Sequence, residues 1–81
     1  MRYFRLHSNI LRNHVGAENV YFAVEDDLMD YETIVIGKNK VQPWASLHHS
    51  SGERFDTADC DEITEREYKR KYEYQNELNS L

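Results

Sequence analysis

The tightest constraint on this chain lies near its end. Thr64-Glu65-Arg66-Glu67 is a capping box, in which the Thr64 hydroxyl is expected to accept from the Glu67 amide while the Glu67 carboxylate reaches back to the Thr64 amide. Ile63 and Tyr68 occupy the positions of a hydrophobic staple. Glu65 and Glu67 suit the positive end of a helix dipole, and Glu65 with Lys69 and Glu67 with Lys71 are favourable i,i+4 pairs. No Gly or Pro lies between Thr64 and the C-terminus, so the sequence predicts a helix over residues 65–79. At about 100° per residue, Tyr68, Tyr72, Tyr74, Leu78 and Leu81 fall within half the circumference. That face is expected to lie on a sheet.

The rest of the chain reads as strands. Tyr3 to His7 starts the first, and from Asn19 to Glu25 the residues Val20, Phe22 and Val24 share one face while Tyr21 and Ala23 share the other. Tyr31 to Ile36 ends in a β-branched run, Gly37-Lys38-Asn39-Lys40 supplies turn chemistry, and Val41 resumes the apolar pattern of a hairpin. On its far side Val41, Ala45 and Leu47 share one face and Gln42, Trp44 and Ser46 the other, with Pro43 marking an edge. His48-His49-Ser50-Ser51-Gly52 reads as a loop and Arg54 to Thr57 as a short strand. The expected architecture is one α+β domain over residues 1–81: a small antiparallel sheet of three to five strands with a C-terminal helix packed across one face.

A length of 81 residues allows one domain. No run approaches the roughly 18 apolar residues of a spanning helix, and the single Cys60 excludes a disulfide scaffold. The N-terminus, charged from Arg2, lacks the pattern of a signal peptide, and a lone thiol suits a reducing compartment. A cytoplasmic location is therefore expected.

Charge alternates in blocks around a formal net value of −5. Residues 1–17 hold Arg2, Arg5 and Arg12 and no acid, whereas residues 18–32 hold Glu18, Glu25, Asp26, Asp27, Asp30 and Glu32 and no base. Lys38 and Lys40 follow, and residues 53–67 carry seven acids against Arg54 and Arg66. Two readings stand side by side: the acidic blocks converge in space, or the signs neutralise one another across neighbouring strands.

Several chemistries are disfavoured. A metal site would need His48, His49, Cys60 and Asp59 or Asp61 to converge, yet neither a C-x-x-C nor an H-x-x-x-H pair is present, so no metal and no cofactor are expected. Asp26 to Glu32 lacks the D-x-D-x-D-G calcium loop and reads as a solvated turn. Asp59, Asp61 and Glu62 should raise the Cys60 thiol pKa and so oppose a nucleophilic role, although the nearby helix N-terminus pulls the other way. The net charge disfavours direct nucleic-acid binding beyond the small strip of Arg2, Tyr3, Phe4, Arg5 and Arg12. Asp30 and Glu32, two apart on a strand, would instead stand about 6.7 Å apart like phosphates along a strand.

Six tyrosines and Trp44 either fill the core or form an interface, and Trp44, sharing its face with Gln42 and Ser46, is the expected exposed anchor. A short, acidic, cysteine-poor chain that runs through a small sheet into the capped Asp61-Glu62-Ile63-Thr64-Glu65-Arg66-Glu67-Tyr68 helix resembles phage or mobile-element accessory proteins of the anti-CRISPR and anti-restriction type. The resemblance is one of style across the chain and carries over no residue, because those inhibitors share no common motif. It implies a stoichiometric blocker of a host nuclease or nucleic-acid-binding complex. The expected function is a non-catalytic protein-binding module that docks on a basic protein surface through Glu25, Asp26, Asp27, Asp30 and Glu32, with an aromatic contribution from Trp44 or from Tyr68 and Tyr72. No contact with nucleic acid or membrane is expected. The alternatives are a small hydrolase or nuclease using His7, His14, His48 or His49, and a homodimeric structural or adaptor protein.

Overall fold

Alternation along the strands and capping before the helix both appear in the computed structural model, which describes residues 1–7, 17–37 and 45–80. They form β1 (Arg2–Leu6), β2 (Ala17–Val24), β3 (Tyr31–Gly37), β4 (Ala45–Ser50), β5 (Cys60–Ile63) and α1 (Glu65–Asn79). The five strands make one sheet in the order β4-β3-β2-β1-β5, and every neighbouring pair is antiparallel. The helix lies across one face, giving the α+β fold expected from the pattern. Gly37 ends β3, and the rest of the turn with Val41, Pro43 and Trp44 lies outside the described residues, as do Arg12, His14 and Leu81.

Central β2 is apolar on both sides because both sides are covered. Tyr21 and Ala23 join Ile34, Ile36, Ala45, Tyr68 and Leu78 in the core beneath the helix. Val20 packs with Leu6 and Ala17, and Val24 with Phe4 and Phe55, on the opposite face. The segment between β4 and β5 crosses this second face, from Ser50 opposite Tyr31 to Cys60 opposite Leu6. It carries one apolar plug, Phe55, which is 5% exposed. The Phe55 ring centre lies 4.8 Å from that of Phe22, 5.0 Å from Tyr31 and 5.4 Å from Phe4.

The helix begins as the capping box requires, with the Thr64 hydroxyl accepting from the Glu67 amide at 3.1 Å. The reciprocal bond from Glu67 is not among those of the described residues. Lys69 pairs with Glu65 at 2.9 Å, whereas the anticipated partner of Glu67, Lys71, lies instead over the Tyr21 ring at 5.6 Å from its centre. The buried stripe runs Tyr68, Gln75, Leu78, flanked by half-buried Lys71 and Tyr72. Tyr74, expected on this face, is 45% exposed because it stands about 100° round the helix from Gln75. Gln75 takes the central place, and its Oε1 is buried with no hydrogen-bond partner among the described residues.

Two sequence expectations are corrected. His48, His49 and Ser50 are not loop but the end of β4, where they pair with Thr33, Glu32 and Tyr31. Residues 54–57 form no strand: they offer a single apolar side chain and no alternation, so Phe55 docks while the chain around it stays irregular. The fifth strand is Cys60–Ile63, of low intrinsic β-propensity, paired antiparallel with β1 and flanked by opposite charges. Arg2 forks onto Glu62 at 3.0 and 3.3 Å, and Asp61 lies 3.7 Å from Arg5 and 3.0 Å from His7.

Candidate functional site

Antiparallel register brings a row of side chains across the helix-bearing face: Ile63, Tyr3, Ala23, Glu32 and His49, one from each strand. One pleat further out, at the rim of the sheet, come Met1, Glu25 and Asp30, with the Glu25 amide donating to the Asp30 carbonyl at 2.9 Å. Ala23 is the smallest member of the inner row and leaves a depression between Tyr3 and Glu32. The N-terminal half of α1 walls one side of it. Tyr68 stacks near Tyr3 with ring centres 5.1 Å apart, and Tyr72 stands 6.4 Å beyond.

Two clefts open here and share Met1, Ala23 and Glu32. One, of about 330 Å³, is bounded by Tyr3, Tyr68 and Tyr72; the other, of about 200 Å³, by Glu25, Asp30 and His49. Glu32 sits at their junction. Its Oε1 accepts from the Tyr68 hydroxyl at 2.6 Å, and no partner for its Oε2 is found among the described residues. Burial, and then this bond to a carboxylate, push the Tyr68 phenol well above its ordinary range, so it remains a donor at every physiological pH.

The acidic residues of the β2–β3 turn are individually arranged. Asp26 meets the N-terminal ammonium at 2.7 Å, a hydrogen bond that lowers the carboxyl pKa and raises that of the amine. Asp27 accepts from the Met29 amide at 3.0 Å. Leu28 holds a φ of 63°, a left-handed conformation that costs a side-chain-bearing residue about 1–2 kcal/mol. It is retained because Leu28 packs against the Phe55 cluster and its carbonyl accepts from the Phe55 amide at 2.7 Å. Asp30 accepts from the Gly52 amide at 2.8 Å. These last two bonds tie the turn to the segment after β4, so Glu53, Arg54 and Asp56 lie at the same end of the molecule as Glu25, Asp26, Asp27 and Asp30, where acids outnumber bases.

Both readings of the charge blocks are therefore realised, each in its own place. Arg2 and Arg5 are neutralised across the β1–β5 pair by Glu62 and Asp61, while the β2–β3 turn gathers carboxylates with no Lys or Arg side chain bonded to them among the described residues. The acidic turn was legible in the sequence. Tyr3, Ala23 and His49 were not recognised as neighbours of Glu32, because only strand register places them there. Tyr68 is 4% exposed and supports the groove rather than offering a surface of its own, whereas Tyr72 is half-buried and faces it. Trp44 lies outside the described residues.

The other candidates disperse. His48 and His49 project to opposite faces of β4, Cys60 lies on β5, and these strands are the two edges of the sheet, four strand spacings or about 19 Å apart. Among the described residues no three ligands for a metal ion come together. Burial, followed by the charges of Asp59, Asp56 and Asp61, pushes the Cys60 thiol up to about 11. Among the described helices none is long and apolar enough to cross a membrane. Compared with known proteins, the chain matches no family model, no curated protein and no solved structure.

Proposed function

We propose that this protein is a non-catalytic binding module that docks its acidic end on a basic protein surface, and that it acts as a stoichiometric blocker of a nucleic-acid-binding partner. The observation that carries the reading is the coupling of two acidic segments at one end of the sheet, through Phe55 to Leu28 and Gly52 to Asp30. Glu25, Asp26, Asp27 and Asp30 are exposed there on a backbone stiffened by these bonds. Carboxylates so held lose little entropy on meeting arginines and lysines, and their field speeds encounter with a basic groove. A groove lined for phosphates would then be covered by carboxylates in their place. The style shared with anti-CRISPR and anti-restriction inhibitors supports the same partner class.

The test is affinity capture from lysate of the native host, at low and high salt, by the wild-type chain and by a variant carrying Asp26→Lys with Asp27→Lys. A stoichiometric partner held by the wild type at low salt, released at high salt and not retained by the variant is the expected result. The purified partner should also bind less nucleic acid when the chain is added. Equal retention of that partner by wild type and variant would remove the acidic turn from the contact.

A further inference from the structure

We propose that the groove between α1 and the β2–β3 rim is a subsite for one arginine side chain of the partner, its guanidinium lying over Ala23, stacked on Tyr72 and paired with Glu32. This rests on the docking reading above and names the side chain that the docked module grips. Shape is the first support. The helix-side cleft of about 330 Å³ falls at the lower end of the roughly 300–1,000 Å³ typical of small-ligand sites. It is open toward the acidic rim through Ala23 and Glu32, which belong to both clefts, so a side chain projecting from a docked basic surface enters from the side where the carboxylates are.

Chemistry is the second. Tyrosine faces attract a cation through their quadrupole, and Tyr3, Tyr68 and Tyr72 bound this space with consecutive ring separations of 5.1 and 6.4 Å. Glu32 provides an acceptor that is already oriented: the Tyr68 hydroxyl holds Oε1 at 2.6 Å, and Oε2 has no partner among the described residues. Glu25 and Asp30, one pleat outward on the same face, add to the negative potential. Met1 and Lys69 line the groove themselves, and the cationic group of each is already paired, the N-terminal ammonium with Asp26 and Lys69 with Glu65. Charge complementarity therefore selects a cationic guest. Between the two cationic side chains, arginine fits better, since its planar, weakly hydrated guanidinium stacks on a ring and donates along a fork to a carboxylate, whereas an ammonium is a compact and strongly hydrated point charge.

The experiment is an NMR titration of the isotopically labelled chain with Nα-acetyl-arginine amide, Nα-acetyl-lysine amide and Nα-acetyl-citrulline amide. The arginine probe should shift the Ala23, Glu32 and Tyr72 amides saturably, several-fold more tightly than lysine, with citrulline inert because it keeps the shape and loses the charge. Glu32→Gln, which preserves an acceptor for Tyr68, should weaken the arginine probe by about tenfold or more. Tyr72→Leu keeps the buried apolar area while removing the ring, and it should also weaken arginine several-fold, so a fold defect in the first variant does not decide the matter. Equal shifts from citrulline, parity of lysine with arginine, or indifference to both substitutions would overturn the proposal. Shifts confined to Asp26 and Asp27 would overturn it too, while leaving docking by the turn intact. The docking reading fails separately, on a partner indifferent to the Asp26 and Asp27 reversal.

Discussion

Tyr68 and Glu32 show how one side-chain pair serves both packing and site. The phenol is buried against Tyr3 and Tyr72, and its hydroxyl would be an orphan donor there without the carboxylate. Tyr68→Phe is expected to cost about 1.5–3 kcal/mol in urea unfolding at neutral pH, the range for a hydrogen bond to a charged group. The sign of its pH dependence comes from the upward shift. The folded state keeps the Tyr68 proton where the unfolded state has lost it, so this contribution is complete below pH 10 and declines as pH rises above that value. The Tyr68→Phe variant should accordingly lose stability less steeply than wild type above pH 10. Cys60 offers a second check at this scale. A shift from 9.0 to about 11 lowers its thiolate fraction near neutrality by roughly a hundredfold, partly offset by the greater intrinsic nucleophilicity of a weaker acid. Its reaction with a disulfide reagent should be about tenfold slower in native protein than in denaturant. A rate equal to the unfolded one would mean that the thiol is not protected.

At the scale of elements, the segment between β4 and β5 acts as a strap with a single anchor. Phe55 closes the face opposite the helix and, through its amide, holds the β2–β3 turn at Leu28. Phe55→Ala is expected to cost about 3–5 kcal/mol, a large part of the stability of so small a domain. It should also loosen the acidic end, seen as faster amide exchange at Leu28 and Gly52 than in a variant equally destabilised elsewhere. A uniform change in exchange would show that the strap does not organise the turn. The helix is tied down in a different way, through a buried stripe that includes Gln75 and leaves out Tyr74, which the pattern places on this face.

Across the whole molecule, the two ends of the charge pattern behave differently. Opposite charges meet along the β1–β5 edge, and carboxylates outnumber cations where the β2–β3 turn meets the strap. Self-repulsion at that end lowers stability in exchange for a strong local field. Glu53→Lys, on the exposed strap, should therefore stabilise the free protein by about 0.5 kcal/mol at low salt, with the gain shrinking as ionic strength rises. No gain at low salt would mean that the two acidic segments do not feel each other.

What the sequence determined by itself was local and periodic: the start of the helix at Thr64, the faces of β2, the turn after Glu25 and the acidic neighbours of Cys60, whose burial, the larger cause of its raised pKa, came from the fold. Each depends on neighbours within a few residues, where capping, alternation and adjacent charge act directly. Only the tertiary structure decided that Cys60–Ile63 is a strand, since the edge it pairs with, β1, lies at the other end of the chain. It also decided that His49 belongs to β4 and that Tyr3, Ala23 and Glu32 form one row. A groove made from three strands and a helix is a property of register, and register is set by long-range pairing and core packing that no short window of sequence contains.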